Sequence, residues 1–402
     1  MRLLLSLAFR SAVATIALLV CATAAHAQDA ETARPGAFEL APGESSLWTQ
    51  LGVYGHSDGQ DDGNPFLDEE LTVIEPLVVW DSQVTDDWGY GITLSYDFVS
   101  SASIDRLSNF PGQSGASGDN YVGLDWSSRH RLSNEQSLTW HTGFSFEYDY
   151  LSLNGGASLT TKDPAVGSST TYGLDLYYDV VDIIRFDGTQ NEGSEDRISV
   201  TGSWSHSRPL SRLWNGEVTT LFTLQSGFLE TAYNAVVLET PGGLPNPNLF
   251  NGASGIEITE ELPDTRLRAA IRPRARRWLS DRSAFEMGGR LYGDDWGVFA
   301  VAVEPRYIYE VVDDRLAMRL RYRYYVQTAA DDFDESFLAS DPTPEFRTQD
   351  SELADLDSHT VGVRFDAFDK RGAPTWYVDF NYALRSDGLD HFYVGLGYRF
   401  GF

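Results

Sequence analysis

The sequence predicts a closed antiparallel transmembrane β-barrel of about 16 strands, porin-like in build, behind a cleaved signal peptide. Three observations predict it. Apolar and polar residues alternate with a period of two in segment after segment, which gives each strand one apolar and one polar face. No run beyond the amino terminus approaches the ~20 apolar residues that a spanning helix needs. The amino terminus itself has the three parts of a secretory signal.

In that signal, residues 1–27, Arg2 and Arg10 give the positive start, and Ser11 to Ala25 is small or apolar apart from hydroxyls. Ala25-His26-Ala27 is a small-x-small cleavage site. Cys21 after Leu18-Leu19-Val20 offers a lipoprotein alternative, but Val20 is a poor residue directly before a lipidated cysteine. Cleavage after Ala27 leaves no cysteine, which excludes disulfides, thiolate metal sites and a cysteine nucleophile. Residues 28–45, with Pro35, Pro42 and scattered charges, read as a loosely ordered periplasmic lead-in. Residues 46–402 read as one barrel with no internal boundary.

The whole chain carries 30 basic and 59 acidic residues, and loss of Arg2 and Arg10 leaves 28 against 59, a balance of −31. Such acidity argues against nucleic acid as a partner. Hydrophobic residues make up 42% and aromatics 13%, too many for a disordered acidic chain. Only Lys162 and Lys370 are lysines.

Sixteen segments follow in order: 46–56, 70–82, 88–100, 119–130, 137–150, 151–161, 169–182, 196–207, 215–228, 265–276, 284–293, 297–309, 315–327, 358–367, 375–386 and 391–402. The first, second and sixth have the weakest alternation. In the third, Tyr90, Ile92, Leu94, Tyr96 and Phe98 alternate with Gly91, Thr93, Ser95 and Asp97. The fifth is the clearest, setting Leu138 to Tyr150 at even positions against His141, Gly143, Ser145, Glu147 and Asp149. In the seventh, Tyr172 to Val180 alternate with Gly173, Asp175, Tyr177 and Asp179. The thirteenth sets Leu316, Met318, Leu320, Tyr322 and Tyr324 against Arg319, Arg321 and Arg323, and the fifteenth sets Trp376, Val378, Phe380 and Tyr382 against Tyr377, Asp379 and Asn381. The last puts Phe392, Val394, Leu396, Tyr398, Phe400 and Phe402 on one face. Aromatics fall near segment ends, as interface girdles require. Pro76, Pro273 and Pro305 each remove a ladder hydrogen bond and predict bulges or twisted ends.

An even strand number returns both termini to one side. Val84-Thr85-Asp86-Asp87 and Val311-Val312-Asp313-Asp314 are short enough for periplasmic turns, and both lysines are expected in such turns. The connections 57–69, 101–118, 229–264 and 328–357 are long and belong outside the cell. They are acidic; in the last, Asp331, Asp332, Asp334, Glu335 and six further acids meet only Arg347.

Three stretches carry a family resemblance: Tyr96-Asp97-Phe98-Val99-Ser100-Ser101-Ala102-Ser103; Arg321-Tyr322-Arg323-Tyr324-Tyr325 with Gln327-Thr328-Ala329-Ala330-Asp331; and the terminal strand. They resemble a family of Gram-negative outer-membrane β-barrel proteins known only as a domain of unknown function, over most of 46–402. The resemblance implies fold and location and no substrate. It also implies that the terminal Phe402 marks the chain for the barrel-assembly machinery, with periplasmic chaperones, lipid and lipopolysaccharide as the other partners. Family genes lie near thioredoxin-like and flavin-attaching proteins, which implies a periplasmic electron-transfer setting. The chain has no Cys-x-x-Cys-His site to carry electrons itself, and no cofactor is expected.

Inward faces differ around the ring. Early strands offer Asp97, Asp125, His141, Glu147, Asp149, Asp175 and Asp179; later strands offer Arg266, Arg268, Arg272, Arg274, Arg276, Arg290, Arg306, Arg319, Arg321, Arg323 and Arg364. In a ring of about 16 strands the fifth faces the thirteenth, so Glu147 and His141 look across at Arg319, Arg321 and Arg323. An acidic wall opposite a basic wall creates a transverse field that favours polar or charged solutes in a passive pore. The alternative is that these arginines pair locally with Glu286, Glu304 or Asp366, and that side chains and loops together plug a structural or assembly barrel that serves a periplasmic partner.

A barrel lipase needs a Ser/His pair with an orienting group. His141 shares a face with Ser145, whereas His206-Ser207 and Ser358-His359 are adjacent and point to opposite faces, so no enzyme activity is expected. Asp58-Gly59-Gln60-Asp61-Asp62-Gly63-Asn64 has the acids and glycines of a calcium loop but lacks the 1-3-5 spacing and the distal Glu. Walker, dinucleotide and zinc patterns are absent, and no metal is expected.

Overall fold

Nineteen strands form in the computed structural model, which describes residues 40–402 except 58–63, 65, 67–69, 102–118, 186–191, 234, 247–248, 250–252 and 402. They are β1 (Ser45–Ser57), β2 (Leu71–Gln83), β3 (Trp88–Ser101), β4 (Asp119–Arg131), β5 (Gln136–Phe146), β6 (Tyr150–Asp163), β7 (Ser168–Asp182), β8 (Ser194–Pro209), β9 (Trp214–Gly227), β10 (Ala235–Glu239), β11 (Gly255–Thr259), β12 (Thr265–Ser280), β13 (Ser283–Asp294), β14 (Phe299–Val312), β15 (Leu316–Gln327), β16 (Phe337–Leu338), β17 (Leu356–Phe368), β18 (Pro374–Arg385) and β19 (Asp390–Gly401). All but β10, β11 and β16 close one antiparallel barrel of 16 strands, in which each strand pairs with its neighbour along the chain and β19 returns to β1. The expected signal sequence, most of the expected lead-in, most of the Asp58–Asn64 loop and Phe402 lie outside the described residues.

Closure explains how such a chain crosses a bilayer. Each strand finds a partner on both sides, so no backbone edge meets lipid. The outward positions are apolar and exposed on every side: Leu94, Leu124, Leu153, Leu174, Phe222, Leu267, Leu291, Val303, Leu320, Phe380 and Leu396 among them. A continuous apolar belt around a closed barrel is a lipid-facing surface. Aromatics crowd its margins, with Trp126 edge-on to Trp140 and Tyr398 edge-on to Phe400.

The prolines interrupt the ladder as expected, but without bulges. Pro76, Pro273 and Pro305 keep continuous register with β1, β9 and β13. On their other sides, the pairings with β3, β13 and β15 lapse at the proline and at the residue before it. The missing N–H thus costs local pairing on one side and does not bulge the strand. The register shifts lie instead beside short turns, at Trp278/Ser280, Glu310/Val312 and Ala367/Phe368.

Two further boundaries move. The fifth segment ends at Phe146, and residues 147–149 turn into β6, so Glu147 and Asp149 leave the strand ladder and lie buried in the turn. Tyr150 turns inward, where its hydroxyl accepts a hydrogen bond from Arg197 Nη2 at 2.7 Å. Lys162 belongs to β6, one residue from its end, while Lys370 lies in the turn between β17 and β18.

One rim of the barrel carries short turns alone; the other carries the long connections together with the short links β5–β6, β13–β14 and β18–β19. Two of the long connections contain strands of their own. β10 pairs with β11 antiparallel and with β16 in parallel, which builds a separate three-stranded sheet from two connections.

Candidate functional site

On the acidic wall, small residues on intervening strands let carboxylates lie flat. Asp125 accepts a hydrogen bond from Asn154 Nδ2 at 3.2 Å and leans over Gly143, where an added Cβ would lie 2.1 Å from its Oδ1. His141 on β5 reaches Asp175 on β7, 3.4 Å away, across Gly156 of β6. An added Cβ at Gly156 would lie 2.4 Å from Asp175 Oδ1 and 2.6 Å from His141 Cε1, so glycine is required for that contact. Asp179 is bound by Arg197 Nε at 2.9 Å and by Ser152 Oγ at 2.7 Å. His141 Nε2 thus lies within 3.4 Å of Asp175 Oδ1 on the inner face.

Glu75 joins this wall without having been singled out from sequence. The β2–β3 register puts it opposite buried Asp97, and its carboxylate packs above Gly52 beside Tyr393. Its segment has weak alternation, and the inward face is otherwise Leu71, Val73, Leu77 and Val79, which hid it. Nearby, Trp48 stacks on Tyr377 with ring centroids 5.6 Å apart, and Arg364 lies 3.9 Å over the Tyr377 ring. Both aromatics are buried inside the barrel, where Gly397 leaves room for them.

The basic wall is only partly open to the lumen. Arg274 pairs with Glu217 at 3.4 Å, Arg276 with Glu286 at 2.7 Å, and Arg306 with both Glu286 and Glu304. Arg319 and Arg364 share Asp366, each at 2.9 Å, and Arg364 also approaches Asp379. Arg266 is buried at the long-connection rim, where its Nε donates to Asp294 at 3.0 Å and its guanidinium lies 4.2 Å over Trp296. It serves the rim and not the lumen surface. The local pairing with Glu286, Glu304 and Asp366 is what the alternative reading anticipated.

Several of the other arginines contact neutral groups. Arg268 donates to Tyr292 Oη and Gln225 Oε1, at 2.9 and 3.1 Å. Arg321 donates to Asn381 Oδ1. Arg290 lies over Tyr292, Arg323 lies over Tyr325, and Arg272 sits among them on β12. Counting around the ring, β3, β4 and β5 stand eight strands from β13, β14 and β15. Asp97, Asp125 and His141 thus lie on the wall opposite Arg290, Arg306 and the Arg319–Arg323 ladder.

The long-connection rim is covered by a packed layer. Asn64, between β1 and β2, donates to the Gln349 carbonyl at 3.0 Å, and Gln349 Oε1 accepts from Val237 N of β10 at 2.7 Å. Phe66 packs with Val237 and Leu249. The β1–β2 and β9–β12 connections arise half a ring apart, so contact between them spans the mouth. Leu262, Trp296, Val298, Ala330 and Leu353 form a second cluster, and Arg385 of β18 pairs with Glu352 and Asp387. Within the layer, Glu260 accepts from Thr348 Oγ1 at 2.6 Å and from the backbone and hydroxyl of Thr231 at 3.0 and 3.1 Å. Burial, with Asp350 as a like-charged neighbour, raises the Glu260 carboxyl above its ordinary range; burial likewise raises Asp350. Plugging by loops is the alternative that the sequence leaves open; the partners within the layer are not legible there, because its ordering depends on contacts between connections far apart in the chain.

Residues 119–382, from β4 into β18, match the family described as "Protein of unknown function (DUF3570)". The chain belongs to that family. No curated protein matches it. Among solved structures it is similar to the ferric enterobactin receptor PfeA of Pseudomonas aeruginosa, at 11% identity and a TM-score of 0.45, over 86% of this chain and 53% of that one. The siderophore receptor PirA of Acinetobacter baumannii is similar at 8% identity and a TM-score of 0.46, with the same coverage. A bacterial polysaccharide outer-membrane secretin is similar at 9% identity and a TM-score of 0.48, over 89% of this chain and 98% of that one. This member of the family spans about half the length of the two receptors.

Proposed function

We propose that this protein is a Gram-negative outer-membrane channel for small polar or charged solutes, closed on its outer side by a folded loop layer that must loosen for passage. The observation that carries this reading is the contact of the β1–β2 and β9–β12 connections across the mouth of a charge-lined, 16-strand ring. Rings of 16–18 strands enclose enough width for an aqueous path. The polar lining supports solute passage, while the layer argues against a permanently open pore. In this reading the long connections face outward, the short turns face the periplasm, and residues 1–27 direct export. The assembly machinery reads the closing strand Phe392, Val394, Leu396, Tyr398, Phe400 and Phe402. No catalytic step is assigned to the barrel.

One observation favours a second reading. Glu286 and Asp366 each bind two arginines, which braces the wall as a structural or assembly barrel would require. Conductance in planar bilayers separates the two. A gated channel should show rare steps in the native protein and frequent, sustained steps once Gln349→Ala and Phe66→Ala loosen the layer. Silence of both folded proteins would favour the scaffold.

A further inference from the structure

We infer that one arc of the short-turn rim, on β8, β9 and β12, binds the headgroup of an anionic glycerophospholipid through Arg208, Arg212 and Arg277. The site needs neither the channel nor any solute in the lumen. Parity puts two of these cations on the outer wall. Arg208 follows Trp204 and His206 on the face of β8 that carries the exposed Ile198. Arg277 lies on the face of β12 that carries the exposed Leu267 and Ile271. Arg212 lies in the turn between β8 and β9. All three are exposed, and the register brings them together. Arg208 pairs with Gly216 of β9, Gly216 with Ala275 of β12, and Trp214 with Arg277. Among the described residues, none of the three forms an ion pair with a carboxylate, and Arg277 lies 5.6 Å over the Trp214 ring.

Three features specify lipid as the occupant. First, the arc continues the lipid-facing belt. Leu210 folds back over Gly216, where an added Cβ would lie 2.8 Å from its Cδ1, so leucine fills the outer face between Arg208 and Ala275. Leu213 and Trp214 are exposed beside it. Indoles and apolar tips next to arginines suit the headgroup level of a bilayer. Second, the charge is local. The whole chain carries −29, which repels anionic lipid, so attraction must come from a patch. The turns β2–β3, β14–β15 and β17–β18 carry Asp86 and Asp87, Asp313 and Asp314, and Asp369. Residues 210–213 carry Arg212 and no acid, and Asp281 of the neighbouring β12–β13 turn pairs with none of the three arginines. Third, the turn is fixed. Leu210 N and Ser211 N donate to the Trp214 carbonyl at 2.9 and 3.2 Å, and Trp278 N donates to the Leu213 carbonyl at 2.9 Å, which ties the turn to β12. A guanidinium fork matches two oxygens of a phosphodiester. The acyl chains then lie along the belt toward Phe222, which is 60% exposed. In the orientation proposed above, this lipid belongs to the inner leaflet.

The test is equilibrium binding of radiolabelled phosphatidylglycerol, and separately of phosphatidylcholine with the same acyl chains, to the complete folded barrel in non-ionic detergent. Phosphatidylglycerol should bind about fivefold or more tightly, the effect of a single arginine at an anionic lipid surface. The double variant Arg208→Gln/Arg277→Gln should lose that preference. Arg371→Gln, in the β17–β18 turn, should keep it. Excess inorganic phosphate should leave the bound lipid in place, because the acyl chains share the contact. Displacement by phosphate would assign a free-anion site and overturn the proposal. Equal binding of the two lipids, or an unchanged preference in the folded double variant, also overturns it and leaves the arc to an acidic protein. Should the double variant fail to fold, Arg212→Gln in the turn replaces it: a weaker preference supports the site, and an unchanged one overturns it.

Discussion

Leu396 illustrates how single residues are constrained here. It projects from β19 into the apolar belt, 46% exposed, with Val378 and Leu51 as its cross-strand partners. An arginine there would carry charge into lipid. Leu396→Arg should destabilise the barrel by ~2–4 kcal/mol if the position lies near the bilayer midplane. Reversible unfolding in lipid vesicles measures this, and a loss well under ~1 kcal/mol would place the residue near an interface. The same parity was readable for most strand residues, since lipid imposes it locally. It failed where the chain turned. Tyr148 and Tyr150 continued the alternation of β5 past its end, but they pack with Val181, Ile184 and Ala232 on the inner side of the rim. Glu75 failed for the opposite reason, because an inward face made of leucine and valine reads as outward.

Elements add constraints that no single residue carries. β10, β11 and β16 are short, and two of them are five residues long, so none would hold as an isolated strand. They persist through contact with each other and with Asn64, Phe66 and Gln349. Glu260 and Asp350 tie the stability of this layer to pH. Their carboxyls are raised in the folded layer, mainly by burial, so the folded layer binds protons more tightly than the unfolded connections do. Their contribution is complete below the ordinary carboxylate value of ~4 and is lost as pH rises through the raised values. Hydrogen exchange of β10 and β11, corrected for the intrinsic rate, should therefore be faster at pH 8 than at pH 5. Glu260→Gln should reduce that difference, and an unchanged difference in the variant would detach the effect from Glu260.

At the scale of the whole molecule, ring closure sets direction as well as shape. Both described ends of the barrel, Ser45 and Gly401, lie together on the short-turn rim. Single cysteines in intact cells should report which rim faces outward. A cysteine at Ser340, exposed beside β16, should react with an impermeant maleimide, while cysteines at Asp86 and Asp313 should not. The reverse pattern would invert the orientation and with it the gating role proposed for the loop layer.

By itself the sequence determined the barrel, its strand number, the parity of most strands and the two unlike walls. Each of these follows from a local rule: lipid on one face and lumen on the other force period-two alternation, and an even count joins the two ends. Tertiary structure alone decided the rest. Which arginines pair with Glu286, Glu304 and Asp366 depends on cross-strand register. Whether the mouth is open depends on connections from opposite walls meeting at Asn64, Gln349 and Val237. Alternation constrains which face a residue takes but carries no information about contacts across the ring, since those arise only once the barrel has closed.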